Sequence, residues 1–538
     1  MALQYLALVA ATFLLSSLSQ SPASAAKILL YPFGHCLNSH LLNMEYISEI
    51  LSSDGHNVSL LISSAYGNYD NKRFGNPHAV STSEKALNVI LFDGPSDFDS
   101  VCDIDTMDAL IYAPAAERYK KLMANFVSYC DRLLSDKQTL QFLKAQKFDL
   151  FMLDTLDPCS RILADYLDIL FIPMITTGLG HYDGNPRPPS YIPAPLTTFM
   201  PDMTFPQRIK NLVMKFMYDI IPVVGRFDEP FEALKRKHSI NTSLSLADTF
   251  NRASLKFVNS HFAIEYPAPI TPDTILVGGF SVKEPYPLNA ELEEFMQSSG
   301  DDGVILMTLG TITKRYDARW TKIFADAFAR LPQKVIWRYY STDSEVENYQ
   351  FSDNIKRMKW VPQVDILAHN KTRLFISHCG LHGLYETIYY KMPVVALPIS
   401  CDQFNHAVKL TQYLQLGVQL DIFDLTSDKV YDAIQEVLQN GKYKKNAEAT
   451  SERIHDMPVS AKDAINYWVS YVIRHKGAPY LKSVAYKLNW YEYLSLDVVG
   501  CLLLGFCLAL AAAGFVIYKL GSVMLVKLLV MWKKQKFE

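Results

Sequence analysis

The chain has 538 residues, too many for one ordinary core, so two domains are the starting expectation. Its 52 Lys and Arg against 55 Asp and Glu give a net charge of −3, which excludes nucleic acid as an electrostatic partner. Hydrophobic residues at 49% and aromatics at 12% fit a globular protein with membrane contacts.

The first segment, "MALQYLALVAATFLLSSLSQSPASA", is a short apolar run ending in Ala23-Ser24-Ala25. That is the pattern of a signal peptide over residues 1–25. No Lys or Arg precedes the run, and an uncleaved anchor is the other reading, although the run is short for a span. "KILLYPF" (27–33) then reads as a buried strand, "LLNMEYISEILSSDGH" (41–56) as an amphipathic helix, and "NVSLLIS" (57–63) as a second strand. Another strand–helix–strand unit follows in "FDLFMLD" (148–154), "PCSRILADYLD" (158–168) and "ILFIPMIT" (169–176). Short loops between such elements predict a largely parallel α/β sheet.

Residues 181–206 change character, with seven prolines and no periodicity, and a loop of that length is expected to serve function or to lack fixed structure. "QRIKNLVMKFMYDIIPVV" (207–224) is helical and strongly apolar, suited either to the membrane surface or to the domain's own core. Residues 275–295 read as an interdomain linker, after which the strand–helix rhythm restarts. Its elements are "GVILMTLG", "WTKIFADAFARL", "KVIWRYY", "RLFISH", "LYETIYYK" and "PVVALPI". The predicted organisation is a domain over 26–280, a second over 281–455, and a helix with a juxtamembrane segment over 456–497.

Residues 498–518, "VVGCLLLGFCLALAAAGFVIY", carry no charge and as a helix would be about 30 Å long, the thickness of a bilayer's hydrocarbon. Trp490, Tyr491 and Tyr493 precede them, and Lys519, Lys527, Lys533, Lys534 and Lys536 follow, so the tail 519–538 should be cytoplasmic. Signal and late span together predict a single-pass type I protein with a lumenal bulk. The final "KQKFE" places lysines third and fifth from the end, as in dilysine retrieval signals of endoplasmic-reticulum membrane proteins. The eight cysteines show no paired ligand spacing, so no metal site is expected, and their pairing is left open. Of the sequons at Asn57, Asn241 and Asn370, the first lies in an apolar strand, which favours the other two.

In open parallel sheets ligands bind beyond the carboxyl ends of strands. His378 and Asp402 stand there, after "RLFIS" and "VVALPIS", and the Cys379-Gly380 turn opens a helix whose N-terminal amides suit a phosphate. Singly, a strand-terminal His, an Asp-Gln at a loop and a Trp are more often structural. Their order is more telling. "WVPQVDILAHNKTRLFISHCGLHGLYETIYYKMPVVALPISCDQFNHA" resembles the signature of the UDP-glycosyltransferase family, which includes the membrane-bound UDP-glucuronosyltransferases. The likeness extends to "LPQKVIWR" (331–338), "YVIRHKGAPYLK" (471–482) and "SLDVVG" (495–500), and to the layout of signal and span.

The resemblance implies two tandem Rossmann-like domains of the GT-B type with a cleft between them, α/β in class, plus one C-terminal transmembrane helix. Residues 26–280 would bind the acceptor and 281–455 the UDP-sugar. Trp360 would stack on uracil, Gln363 hold the nucleoside and Glu386 the ribose hydroxyls. Thr308, Gly310, Thr311, His378, Gly380 and His382 would surround the diphosphate, and Asp402 and Gln403 would bind the hexose. Two positions depart from the family pattern: Cys379 replaces a glycine and His382 an asparagine. The family's His–Asp dyad maps to His40 and Asp154, both at carboxyl ends of strands. His35 and Asp157 are rivals, the latter also a candidate helix cap.

The implied reaction is inverting transfer of a hexose, glucose or glucuronate, to a hydroxyl of a small lipophilic acceptor. It would use UDP-sugar as co-substrate and no cofactor or metal. Asp97-Phe98-Asp99 and Asp103-Ile104-Asp105 echo the Asp-x-Asp of metal-dependent transferases but read as solvated charges. A catalytically weak member that binds UDP-sugar or modulates partner transferases is the alternative, and homo- or hetero-oligomers in the membrane are possible. A nicotinamide dehydrogenase lacks its G-x-G-x-x-G after the first strand.

Overall fold

The structure is a computed structural model. It describes residues 25–33, 38–64, 88–94, 115–178, 184–195, 197–224, 227–310, 313 and 315–536. Most of the signal segment, His35, Thr311 and both Asp-x-Asp stretches lie outside these residues. The chain forms two units, residues 1–481 and 482–538.

The first sheet is built from β1 (Lys27–Tyr31), β2 (Asn57–Ser63), β3 (Asn88–Phe92), β4 (Leu150–Asp154), β5 (Phe171–Ile175), β6 (Lys256–Val258) and β7 (Thr274–Leu276). Every pair is parallel, in the order β3-β2-β1-β4-β5-β6-β7. The second sheet contains β8 (Val304–Thr308), β9 (Lys334–Arg338), β10 (Ile355–Met358), β11 (Thr372–Ser377), β12 (Val394–Ala396) and β13 (Gly417–Gln419). It is likewise parallel, ordered β10-β9-β8-β11-β12-β13. The central strands β1, β4, β8 and β11 are almost continuously apolar because helices cover both faces. Each sheet has one switch point where successive strands turn to opposite sides: between β1 and β4, and between β8 and β11. A crevice opens at such points beyond the carboxyl ends of the strands.

The stretch expected as a linker contributes β7 and the helix Ala290–Gln297. The helix Ala461–His475 packs on the first sheet: Ile465, Val469 and Val472 share a core with Leu41, Met44 and Ile47 of the helix Asn38–Ser53. The chain thus returns from the second sheet to brace the helix that carries His40. A disulfide joins Cys130 to Cys159 across 5.4 Å between Cα atoms. It ties the helix Ala115–Ser135 to the first turn of the helix Pro158–Leu167. Asn57, expected to be enclosed, is exposed as the first residue of β2, so burial of the strand does not disfavour its sequon.

Between the sheets lies a buried ion pair. Lys409 Nζ is 2.6 Å from Glu265 Oε2, both side chains being 9% exposed, and Ser260 Oγ donates to Glu265 Oε1 at 2.7 Å. Burial alone would raise the Glu265 pKa, but the Lys409 charge and hydrogen bond hold it below the ordinary value. Lys409→Met should cost about 3–5 kcal/mol, because a carboxylate is left buried without its partner. Denaturant unfolding of the single variant against Glu265→Gln/Lys409→Met checks this, with the double variant recovering part of the loss. The folded-state pKa is depressed, so the pair's contribution is present above the unfolded value of about 4.3 and fades as pH falls.

The second unit contains a capped turn at Trp490–Tyr493 and one continuous 40-residue helix, Leu496–Gln535. That helix has no buried residue and is long and apolar enough to cross a membrane. At about 60 Å it is longer than a bilayer's hydrocarbon is thick, and the basic tail belongs to the same helix.

Candidate active site

His40 lies in the first turn of the helix that follows β1, and Asp154 is the last residue of β4. They meet at the switch point of the first sheet, with His40 Nδ1 2.6 Å from Asp154 Oδ2. Asp154 is fully buried and His40 nearly so. The Leu156 N–H donates to Asp154 Oδ1 at 3.0 Å, so the carboxylate's orientation is fixed by the backbone. A carboxylate can only accept, so the imidazole carries its proton on Nδ1 and leaves Nε2 as a lone-pair base. Thr176, just past β5, places Oγ1 2.9 Å from the same ring nitrogen. Its position beyond a strand's carboxyl end was a signal that sequence reasoning left unused. Asp157 caps the helix Pro158–Leu167, accepting from Cys159 N at 2.8 Å. Burial raises its pKa to about 7.

The second switch point gathers the other candidates. Thr308 ends β8 beside Ser377 of β11, and its Oγ1 accepts from the Gly310 N–H at 3.2 Å. His378 follows β11 and packs between Gly310 and Gly380, where a Cβ on either glycine would run into its ring. Gly310 has φ +70°, a conformation glycine holds without strain. Burial pushes the His378 pKa down to about 4 despite nearby Asp402, with Arg338 and His406 adding to the depression, so the ring is neutral. Arg338, the last residue of β9, donates to the carbonyls of Gly310 and Thr313 and brings a largely buried cation to this loop. No role was read for it from sequence.

Gln363 Nε2 donates to Glu386 Oε2, which brings together the two residues expected around the nucleoside. Burial raises Glu386 to about 7 against the lowering effect of that bond. Among the described residues, Trp360 Nε1 and His378 Nδ1 are buried without a hydrogen-bond partner. Asp402 begins the helix Gln403–Val408, with a carboxylate oxygen 3.8 Å from His406 Nδ1. Gln403 Oε1 accepts from the N–H groups of Ile399 and Ser400 at 2.8 and 3.1 Å, so it shapes the loop that presents Asp402.

The two unusual residues have distinct fates. Cys379 is fully buried with φ +64°, a left-handed conformation that a glycine takes without strain, and its side chain joins the core with Leu384 and Tyr385. His382 reaches across the cleft: its Nε2 is 2.8 Å from Oδ1 of Asn43, three residues after His40 on the same helix. Burial and the neighbouring His40 push its pKa down to about 4. A pocket of about 530 Å³ lined by Thr372, Pro393 and Asn440 lies at the amino ends of β11 and β12, away from these groups.

Residues 26–535 match the family model described as UDP-glucoronosyl and UDP-glucosyl transferase. UDP-glucuronosyltransferase 2C1 of Oryctolagus cuniculus is 31% identical over 482 residues, covering 86% of this chain and 93% of the relative. UDP-glucuronosyltransferase 1A6 of Mus musculus is 33% identical over 484 residues, covering 86% of each. In fold, the chain is similar to a UDP-glucosyltransferase from Polygonum tinctorium, with a TM-score of 0.57 at 14% identity over 84% of this chain and 99% of that one. Os79 from O. sativa, solved with UDP, gives 0.55 at 16% identity over 83% and 100%. Two parallel Rossmann-like sheets with facing switch points are the GT-B architecture, and the chain belongs to the UDP-glucuronosyl and UDP-glucosyl transferase family of glycosyltransferase enzymes.

Proposed function

We propose that this enzyme transfers a hexose, glucose or glucuronate, from its UDP-sugar to a hydroxyl of a small lipophilic acceptor with inversion at the anomeric carbon. The observation that carries this reading is the buried His40–Asp154 pair at the switch point facing the donor side. His40 Nε2 takes the acceptor's hydroxyl proton as that oxygen bonds to C1. The bond from C1 to the β-phosphate oxygen breaks, UDP leaves with the electron pair, and an α-linked donor gives a β-glycoside. Asp154 holds the tautomer and stabilises the imidazolium that forms.

On the donor side, Trp360 stacks on uracil, Gln363 and Glu386 hold the nucleoside, and Asp402 and Gln403 meet the hexose. The diphosphate is received by Thr308, Gly310, Thr311, His378 and Gly380 and by the N-terminus of the helix Leu381–Tyr389, with His382 at its edge. Trp360 Nε1 and His378 Nδ1 are both buried and unpartnered among the described residues. The helix Leu496–Gln535 anchors the chain once in the endoplasmic-reticulum membrane, with the catalytic part lumenal and the basic tail cytoplasmic.

The test is release of UDP from UDP-glucose, UDP-glucuronate and other UDP-sugars with a panel of lipophilic phenols and alcohols, using His40→Ala as the control. Turnover by the wild-type chain and its loss in the variant are expected. Full activity of the variant, or silence with every donor, sinks the reading.

A further inference from the structure

The helix Asn38–Ser53 carries more than the base. Residues three apart share a side of a helix, so Asn43 and Tyr46 follow His40 along one side. The helix Leu381–Tyr389 of the second sheet meets that side. His382 Nε2 lies 2.8 Å from Asn43 Oδ1, and its ring centroid is 6.5 Å from that of Tyr46. Lys283 Nζ stands 4.6 Å from the Tyr46 ring centroid, and the Tyr390 hydroxyl, just past the second helix, donates to the Lys283 carbonyl. One turn beyond His382 is Glu386, which accepts from Gln363 on the donor side. Two other bonds join the sheets, Asn405 Nδ2 to the Thr197 carbonyl and Lys409 to Glu265. Of the three, only the Asn43–His382 bond is made by the helix that bears the base.

We propose that the Asn43–His382 bond is a tie across the cleft that sets His40 against the bound donor, with His382 a positioning residue rather than a ligand of the diphosphate. The inference rests on the reading of His40 as the base and of the helix Leu381–Tyr389 as part of the donor site. Its first ground is the proton count. An amide oxygen only accepts, so His382 Nε2 carries the hydrogen and gives it to Asn43. Burial, with the neighbouring His40 adding, keeps the ring neutral at a pKa of about 4. A neutral imidazole has one N–H, so the other nitrogen holds only a lone pair and has nothing to donate to a phosphate oxygen. Asn43 is 2% exposed, and its oxygen would be left buried without that donor. The second ground is geometric. Asp154 and Thr176 fix the His40 ring within the first sheet's own elements, and neither fixes its distance from the donor. That distance is set between the two halves of the cleft, where an error of about 1 Å can cost about 10²-fold in rate. The tie fixes it one turn from the base.

A double-mutant cycle on the full-length chain tests this, read by steady-state kinetics beside calorimetric binding of UDP. Asn43→Ala and His382→Ala should each lower kcat about tenfold to a hundredfold. The dissociation constant of UDP should stay within about twofold of wild type in both. The double variant should be little worse than the poorer single one, because each change removes the same bond. His382→Gln, whose amide N–H reaches about as far as Nε2, should recover most of kcat. His382→Phe keeps the ring's bulk without its N–H and should lose as much as His382→Ala, so the comparison of Gln with Phe decides the matter even if an alanine variant folds poorly. A UDP dissociation constant about tenfold or more higher in His382→Ala alone would make His382 a diphosphate ligand and overturn the tie. Additive losses in the double variant, or wild-type kcat in His382→Phe, overturn it as well. His40→Ala separates the two readings: if it is inactive while the cycle is additive, the tie alone fails, and if it is fully active, the base fails and the tie with it.

Discussion

Asp154→Asn is expected to lower kcat about 10²–10⁴-fold while leaving UDP affinity and folding stability nearly unchanged. The reason lies in which end of the new amide faces the histidine. The backbone N–H of Leu156 donates to the Oδ1 position at 3.0 Å, so an oxygen must remain there. The amide nitrogen then occupies the Oδ2 position, 2.6 Å from His40 Nδ1 in the wild-type geometry, and donates into the ring. His40 must accept at Nδ1 and carry its proton on Nε2, the nitrogen that should receive the acceptor's proton. The variant is isosteric and fully buried, so the loss reflects a tautomer rather than a cavity. Steady-state kinetics beside calorimetric UDP binding will separate these effects. The double variant His40→Ala/Asp154→Asn should be little worse than the poorer single one, because the pair acts as a unit. A variant with wild-type kcat would remove His40 as the base.

Gly310→Ala is expected to weaken UDP binding more than Gly380→Ala, and both should act on the donor rather than on the acceptor. A Cβ at either position meets the His378 ring. Gly380 has φ −60° and ψ 151°, open to any residue, so its variant carries only the clash. Gly310 at φ +70° adds left-handed strain of about 1–2 kcal/mol. His378 cannot easily retreat, because it sits between the two glycines. An increase in the UDP dissociation constant of about tenfold or more is expected for Gly310→Ala, since 1.4 kcal/mol is a factor of ten. Isothermal titration with UDP measures it, and equal affinities in the two variants would refute the account.

The parts of this site that were legible in the sequence share a physical origin. A buried parallel strand is a run of apolar letters, and the first polar letters after it mark the carboxyl edge where ligands bind. "LFISH" and "LPISCDQ" therefore pointed to His378 and Asp402, whereas Asp154, at the end of "FMLD", was singled out through the family resemblance. Asp157 was legible in both of its roles, and the cap prevailed because proline at the next position starts a helix there. Thr176 stood at an equivalent edge after β5 but carried no distinguishing neighbour. His382 read as a phosphate-side residue only through the family resemblance, and its imidazole bonds Asn43 on another sheet's helix, 339 positions away in the chain.

Residues 207–224 were legible as a strongly apolar helix, but apolar content alone does not say which side of it is covered. Only the buried Asn211 on the reverse side shows that the apolar face is the one turned outward. The same division holds for the whole protein. Local composition determined the α/β class, the strand ends and the long apolar helix, because these depend on neighbours within a few residues, and the donor signature was legible through its resemblance to a family. The disulfide from Cys130 to Cys159, the Glu265–Lys409 pair and the return of the helix Ala461–His475 beneath the helix that carries His40 were decided by tertiary structure. Each joins segments whose side chains meet only after the sheets and the helices on them have packed, and one sequence carries no periodic mark of such encounters.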